Sequence, residues 1–330
     1  MNATAALAEQ RLARLALRAY DVSPQAELTP IRLLNNAVFR VDDGAGAQLV
    51  LRVHRPEYRD VAHIHSEIEF LAFVCDQVEG TQVRVPRPVV ARSGDVVVEV
   101  EGRQCTLLTW VEGRVLRVGR GLGPRAVHEL GRALAQLHDA AEQFRPSPGF
   151  DAPTWDADGM FTEASPYRPG PFEEVLSHED LALFREVEER TRATFDLLER
   201  TGHALRVIHS DFVLVNCHFR RRRDGWGIGV LDFDDLGWGY PLYDLCPLLG
   251  NLVDFPDRYQ PLRHEFLAGY RSVRSLPPEL EVHLPVLMAA RHAGVCVWLF
   301  GLHRTAGTGP PIAEHVAYRM DAIRSCLALR

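Results

Sequence analysis

The amino-acid sequence predicts an α+β protein of two lobes: a small lobe with an antiparallel sheet and one helix, and a larger, mostly helical lobe. Three observations support this division. Residues 31–54 alternate apolar and polar side chains around a Gly-rich turn, and residues 83–111 return to a strand-like pattern. From Gly113 onward the apolar residues recur at helical spacing, so we place the boundary at residues 106–113.

The small lobe, residues 1–105, has four predicted elements. The first is an amphipathic leading helix in which Arg and Glu are spread throughout, unlike a signal peptide. A hairpin with the turn DDGAG follows, then a helix whose apolar residues repeat at the helical period. The last element is a set of strands whose lead-in is interrupted by two prolines. The predicted ranges are 1–20, 31–42 with 47–54, 59–77 and 83–111.

The larger lobe, residues 114–330, follows a short hinge at 106–113. Its first helix precedes a long segment rich in Pro, Gly and Asp, a composition typical of loops that carry binding function. The next helix begins at Ser177, where Ser177 and Asp180 resemble a capping box. Two or three helices complete the chain. The predicted ranges are 124–144 for the first helix, 145–172 for the irregular segment, 177–202 and 260–329.

Composition excludes several classes of function. The formal net charge of −7 gives no general attraction to nucleic acid or to an anionic membrane, and we expect neither partner. We expect no apolar run to be long enough to span a bilayer. The six cysteines are scattered without metal-ligand spacing, which predicts reduced thiols in a cytoplasmic protein. No residue indicates the oligomeric state.

The stretch VIHSDFVLVN, residues 207–216, places polar side chains after an apolar run. Asp211 and Asn216 are five residues apart, and the turn RDGWG then returns the chain along an apolar strand that ends at Asp232. This hairpin brings Asp232 back beside Asn216. Carboxylate and carboxamide oxygens are ligands that suit Mg²⁺, and Asp211 stays available to receive a proton.

These residues resemble the catalytic core of the aminoglycoside phosphotransferase and choline kinase-like family, which is related to protein kinases. The matching pattern is H-x-D-x-x-x-x-N, then an apolar strand ending in Asp-Phe-Asp, then the triplet YDL. The stretches LRVHRP and SEIEFL are nearest to bacterial homoserine kinase-like and stress-response kinase-like members. The resemblance implies a bilobal protein kinase-like fold and an ATP- and Mg²⁺-dependent transfer of phosphate to the hydroxyl of a small molecule.

The resemblance also implies how the small lobe holds ATP. Arg52 stands where the family has a phosphate-binding Lys, and Glu67 matches the helical acid that pairs with it, with Glu69 as the second candidate. The hinge segment Thr109, Trp110 and Val111 would bind adenine through backbone groups. The chain contains no Lys, so Arg at position 52 reflects residue usage and preserves a charged phosphate clamp.

In the larger lobe the resemblance assigns the chemistry to the motif itself. Asp211 is the expected catalytic base, and Asn216 and Asp232 are the expected metal ligands. Supporting roles fall to three further residues: His209, Asp234 and Asp244.

Structural and functional alternatives remain open at this level. Asp211 and Asn216 are also residue types that cap helices and fill turns, and Arg52 on its own reads as a surface strand residue. A structural role suits Asp232 poorly, because the adjacent acids at 234 and 235 repel it unless a cation sits among them. The alternative functions are a protein Ser/Thr kinase and a non-catalytic nucleotide-binding module, the latter suggested by Arg52 and by the missing GxGxxG loop.

The acceptor is not identified by the sequence. Its pocket is expected between Asp211, the segment 144–176 and the C-terminal helices, where acidic side chains would suit a cationic or polyhydroxylated acceptor and aromatic ones would give an aromatic pocket. The acidic candidates are Asp151, Asp156, Asp158 and Asp234, and the aromatic candidates are Trp155, Phe161 and Trp298.

Overall fold

The computed structural model describes residues 3–33, 36–56, 58–167, 176–223, 225–306 and 312–329. The chain forms two compact units, which are not continuous in sequence. The first unit comprises Met1–Glu112, Phe144–Ala152 and Gly229–Asp234, and the second comprises Gly113–Gln143, Pro153–Ile228 and Asp235–Arg330. The first unit therefore includes two later segments that the predicted division at 106–113 assigns to the larger lobe.

The helices and strands occupy most of the described residues. The strands are β1 Glu27–Leu33, β2 Ala37–Asp42, β3 Gln48–Val53, β4 Val83–Arg84, β5 Val97–Val100, β6 Arg103–Thr109, β7 Arg117–Val118, β8 Gly121–Leu122, β9 Arg206–Ile208, β10 Cys217–Arg221, β11 Trp226–Val230 and β12 Gly237–Gly239. The helices are α1 Ala3–Leu17, α2 Val61–Gln77, α3 Pro124–Gln143, α4 Ala157–Phe161, α5 His178–Arg200, α6 Pro241–Asp244, α7 Cys246–Leu252, α8 Pro256–Arg271, α9 Pro278–Glu281, α10 Leu284–Ala306 and α11 Ile312–Leu327.

The first unit is built on a five-stranded antiparallel sheet in the order β1-β2-β3-β6-β5. Helix α1 packs on this sheet, and Tyr20, Phe39 and Leu51 are completely or almost completely buried in the core between them. The predicted strand 31–42 is wrong, because it is two strands: β1 ends at Leu33 and β2 begins at Ala37. A continuous alternation of side chains does not by itself reveal a reversal of direction.

Helices dominate the second unit, and α3 packs along α8. Two glycines permit this contact: a Cβ at Gly131 of α3 would overlap the carbonyl oxygen of Phe266, and one at Gly269 of α8 would overlap that of His128. The predicted cap of α5 is present, with Ser177 Oγ accepting from the Asp180 backbone N–H at 3.1 Å. All six cysteines are free and buried.

The Gly269 contact gives a first prediction. Gly269→Ala forces α3 and α8 apart, so we expect the free energy of unfolding to fall by about 2 kcal/mol. Gly294→Ala in α10 is the matched control, since a Cβ there meets nothing within 4 Å. Replacing a helical Gly by Ala stabilises helices by about 1 kcal/mol, so the control should be unchanged or slightly more stable. Urea denaturation measures both, and equal stability of the two variants would contradict the close packing.

Helix α10 lies at the centre of the second unit and contacts α4, α5, α7 and α11. Its window Leu284–Gly301 is long and apolar enough to cross a membrane, and 78% of that window is buried inside the protein. The expectation that no apolar run has that length is therefore wrong. Such extensive burial is typical of the core helix of a globular protein.

His292 of α10 is buried and bridges two neighbouring helices. Its Nε2 lies 3.3 Å from the carbonyl oxygen of Gly250, and Arg319 Nη1 lies 3.0 Å from its Nδ1, the arrangement of a neutral ring. Burial, with the charge of Arg319 adding to it, lowers the pKa of His292 to about 3.

The buried His292 predicts that acid destabilises the protein. Between about pH 3 and pH 6.5 the unfolded chain binds a proton at this histidine that the folded chain does not, so stability is complete above 6.5 and falls below it. We expect a loss of about 2 kcal/mol between pH 7 and pH 5. His292→Gln can keep both hydrogen bonds without titrating, so its unfolding free energy should depend less on pH. An unchanged pH slope in urea titrations of this variant would refute the assignment.

Candidate active site

Strand β9 delivers the polar motif to a short loop in the second unit. β9 pairs antiparallel with β12, and the chain leaves it at His209. The backbone N–H of Asp211 then donates to His209 Nδ1 at 3.3 Å, and that of Val213 donates to the Asp211 carbonyl at 2.8 Å. A single 3₁₀ turn, Leu214–Asn216, ends the loop. These local contacts bring Asp211 and Asn216 together.

The carboxylate of Asp244 stabilises this loop through hydrogen bonds to its backbone. Its carboxylate is completely buried and accepts hydrogen bonds from the backbone N–H groups of His209 at 2.8 Å and Ser210 at 2.7 Å. Ser210 has a φ of +65°, a strained conformation for a residue other than Gly. The Asp244 carboxylate therefore offsets the cost of the turn that presents Asp211.

A histidine that the sequence analysis did not assign to the site completes this support. His138 of α3 contacts Asp244 Oδ2 through Nε2 at 3.1 Å and the Tyr270 hydroxyl through Nδ1 at 2.8 Å. Burial by itself raises the pKa of Asp244, but the hydrogen bond and charge of His138, together with His209, outweigh it and hold that pKa below its usual range. Asp244 is thus charged at neutral pH.

Both carboxylate oxygens of Asp211 have partners. Asn216 Nδ2 donates to Oδ2 at 2.8 Å, and also to the Asp211 carbonyl at 3.0 Å. Arg291 of α10 donates from Nη2 to Oδ1 in a close ion pair. Because its amide nitrogen is used in this way, Asn216 turns its side-chain oxygen elsewhere, where it accepts no hydrogen bond from any residue within the described ranges.

In the first unit, Arg52 of β3 forms a buried ion pair with Glu67 of α2. Arg52 Nη1 lies 2.7 and 2.8 Å from the two carboxylate oxygens. Glu69 instead accepts from the backbone N–H and hydroxyl of Ser147, both at 2.7 Å. Burial alone would lower the pKa of Arg52, but the acids around it, Glu67 first, outweigh burial and raise it. The guanidinium therefore stays charged.

The acids that end β11 lie around the same arginine. Asp232 Oδ1 is 3.9 Å from Arg52 Nη2, and Asp234 Oδ1 is 3.7 Å from Arg52 Nη1. Arg32 of β1 adds a second cation, with Nη2 at 2.8 Å from Asp232 Oδ2. The positive charges of these two arginines offset the charges of Asp232 and Asp234.

Asp232 and Asp234 carry two marks of a functional site. Asp232 has a φ of +64°, which is unusual for a residue other than Gly. Asp234 Oδ1 is buried and has no hydrogen-bond partner within the described residues, while Oδ2 accepts from Asn36 Nδ2 at 3.2 Å. Burial raises the pKa of Asp234 above its usual range, although Arg52 opposes the shift.

Each unit contains oxygen atoms of the kind that a hard divalent cation prefers. In the first unit, Asp232 has carboxylate oxygens, and Asp234 Oδ1 is a buried carboxylate oxygen without a hydrogen-bond donor in the described structure. In the second unit, the amide nitrogen of Asn216 is engaged by Asp211, which leaves its amide oxygen as a possible ligand. Within the described ranges no three His, Cys, Asp or Glu side chains form a metal cluster. One or two protein ligands are nevertheless what Mg²⁺ takes when water and substrate phosphates complete its coordination.

The predicted adenine segment lies at the end of β6. The backbone N–H of Thr109 donates to the Arg87 carbonyl at 2.9 Å, and that of Trp110 donates to the Gln48 carbonyl at 3.1 Å. These two N–H groups are therefore already used inside the first unit.

Several of the side chains proposed for an acceptor pocket have local structural roles. Asp156 caps α4 by accepting from Gly159 N–H at 2.8 Å, and Asp158 pairs with Arg192 at 2.8 Å. Trp155 and Phe161 are each 2% exposed. An acidic or aromatic pocket built from these four residues is therefore not supported.

Other residues were missed by sequence reasoning because their partners are distant in the chain. Arg59 Nε and His63 Nε2 contact the Asp234 carbonyl oxygen at 3.1 and 3.0 Å. Nothing in their neighbourhoods in the sequence indicates this. Arg291 did carry a signal, since a charged residue inside an apolar helix needs a partner.

Comparison with known proteins agrees with this description. The family described as "Phosphotransferase enzyme family" matches residues 27–283. An uncharacterised protein of Deinococcus radiodurans is 31% identical over 90% of this chain and 82% of its own length. A homoserine kinase of Xanthobacter autotrophicus is 26% identical over 77% of this chain and 73% of its own length.

Two solved structures resemble the fold. A microcompartment-associated aminopropanol kinase has a TM-score of 0.78 and 28% identity, covering 97% of this chain and 96% of its own. An amicoumacin kinase bound to AMP-PNP, Ca²⁺ and Ami has a TM-score of 0.74 at 17% identity, covering 98% and 96%. The predicted α+β class and protein kinase-like fold are confirmed.

Proposed function

Because the chain belongs to the phosphotransferase enzyme family and is a small-molecule kinase, we propose that it transfers the γ-phosphoryl group of ATP to an acceptor hydroxyl. The observation that carries the proposal is the Asp211–Asn216 pair, held on a strained loop by the buried Asp244. Such preorganisation is what phosphoryl transfer requires, because positioning and charge neutralisation provide most of its catalysis.

Asp211 is the proposed base. It orients the acceptor hydroxyl and takes its proton while the hydroxyl oxygen forms a bond to the γ-phosphorus. The bond from that phosphorus to the bridging oxygen breaks, and ADP leaves with the electron pair. His209 and Asp244 fix the loop, so the position of Asp211 does not depend on the acceptor.

The remaining residues are proposed to bind the phosphates and the cation. We assign Asn216 and Asp232 as the residues that would hold Mg²⁺, with Asp234 in support; the ion would neutralise charge on the phosphate oxygens. Arg52, steadied by Glu67, grips phosphate oxygens. Thr109, Trp110 and Val111 remain the proposed adenine segment, through groups other than the two engaged N–H groups.

The test is ADP release from Mg-ATP across an acceptor panel. The panel contains homoserine, aminopropanol, ethanolamine, choline, sugars, aminoglycosides, nucleosides and a mixture of Ser/Thr proteins. The names of the homoserine kinase and aminopropanol kinase relatives favour the first compounds. Turnover with a small hydroxylated compound is expected. Phosphate transfer to protein only would reject the small-molecule acceptor, and the absence of both ATP binding and turnover would reject the kinase proposal.

A further inference from the structure

Arg291 contacts the proposed base, yet the proposed mechanism gives it no role. It lies in the apolar core helix α10 and donates from Nη2 to Asp211 Oδ1. The side chains of Arg291 and Asp211 are only 14% and 24% exposed. Holding a charged pair this far from water is costly, so the pair needs a reason beyond surface solubility.

The guanidinium of Arg291 has more hydrogen-bond donors than its contacts with the described residues use. Asp211 is its only hydrogen-bond partner in the part of the chain that the structure describes, and Nη2 alone makes that bond. Nε and Nη1 therefore remain for another acceptor of hydrogen bonds. A guanidinium presents its donors as a planar fork, and the ligand that matches this fork is a carboxylate or a similar planar anion.

A second arginine lies near Arg291. Arg319 of α11 is this second, partly buried cation, and burial together with the charge of Arg291 lowers its pKa. Among the neighbouring acids, Asp211 is the proposed base, and Asp235 acts on Arg291 without a hydrogen bond to it. Asp156 and Asp158, which would have attracted a cationic acceptor, are engaged locally.

The position of Arg291 restricts what the acceptor carries near its hydroxyl. An acceptor hydroxyl that reaches Asp211 places the adjoining part of the molecule close to Arg291. An ammonium group there is repelled, whereas a carboxylate gains charge-assisted hydrogen bonds. We propose that Arg291 is a specificity-determining residue that binds a carboxylate of the acceptor, so the substrate is a hydroxylated amino acid or hydroxy acid rather than a purely cationic amino alcohol. This inference rests on the proposed function.

In this scheme the acceptor rearranges an existing ion pair. The acceptor carboxylate takes the free donors of Arg291, and the acceptor hydroxyl takes its place at Asp211. Asn216 keeps its hydrogen bond to Asp211 Oδ2 throughout.

Three related acceptors separate the effect of the carboxylate on kcat/KM from the effect of the amine. Homoserine carries an amine and a carboxylate, its decarboxylated form is an aminopropanol, and γ-hydroxybutyrate is homoserine without the amine. We expect wild-type protein to prefer the two carboxylates over the aminopropanol. Arg291→Gln should lower kcat/KM by about 100-fold for homoserine and γ-hydroxybutyrate, mainly through KM, and by less than about 3-fold for the aminopropanol. Arg291→Lys keeps the charge and should restore part of the preference.

The control is Arg190→Gln, which removes an exposed arginine paired with Glu186 and should change none of the three values. An equal fall of kcat/KM for all three acceptors in Arg291→Gln would overturn the inference while leaving the kinase function intact. If wild-type protein phosphorylates none of them, the proposed substrates fail. Saturation-transfer NMR with γ-hydroxybutyrate then decides, since binding should be present in wild type and lost in Arg291→Gln, and equal behaviour of the two proteins refutes the role.

Discussion

Asp211→Asn should lower kcat by about a thousand-fold, because it removes the proposed proton acceptor and leaves the loop in place. The substituted amide has a single oxygen, so it can accept from Asn216 or from Arg291 but not from both. Asp244 continues to hold His209 and Ser210, so the folded structure is not expected to change. Affinity for Mg-ATP should stay within about 3-fold of wild type, since the loss concerns the chemical step.

The measurement is single-turnover ADP formation beside fluorescence titration with a nucleotide analogue. Asp158→Asn is the matched control, because Asp158 is exposed and pairs with Arg192 at 2.8 Å. It should retain wild-type kcat. An Asp211→Asn variant with more than about a tenth of wild-type kcat would show that another group takes the proton.

Asp244→Asn should lower the free energy of unfolding by about 3 kcal/mol and kcat by about 100-fold. Asp244 accepts hydrogen bonds on both oxygens, from two backbone N–H groups and from His138. An amide replaces one acceptor by an N–H donor, which then faces another donor in a site with no water access. Ser210 loses the contact that stabilises its positive φ, so Asp211 is no longer held in one place.

Urea denaturation and turnover measure the two effects. Asp139→Asn is the control: Asp139 lies on α3 next to His138 and pairs with Arg274, but it is 46% exposed, and its loss should cost less than about 1 kcal/mol. The Asp244 contribution to stability is present above its unfolded pKa of 3.8 and is lost as the pH falls through the lower, folded value. Asp244→Asn should therefore also reduce acid sensitivity. A variant as stable and active as the Asp139→Asn control would contradict the role of Asp244.

Local motifs in this protein could be predicted because their spacing fixes their geometry. His209, Asp211 and Asn216 fall within a single turn-containing loop, and short-range hydrogen bonds bring them together. The cap at Ser177 and the helix that carries Glu67 follow from patterns of the same range. Backbone geometry and side-chain periodicity act over a few residues, so the sequence exposes them directly.

Errors arose where the pattern had two meanings. An alternating run at 31–42 predicts strand whether the chain continues or reverses, and the sheet resolves it into β1 and β2. The apolar run of α10 fits the composition of a core helix and also that of a membrane-spanning helix. Its burial against neighbouring helices is typical of a core helix. Only packing against the rest of the chain decides such cases.

The sequence by itself determined the α+β class, the family and the oxygen-rich motif around Asp211, because each depends on residue types at short, fixed spacing. The tertiary structure decided which of two glutamates pairs with Arg52, that His138 supports Asp244, and that Arg291 reaches Asp211. These partners are 15, 106 and 80 residues apart. Contacts at such separation depend on how whole elements pack, and no local pattern of side chains encodes that choice.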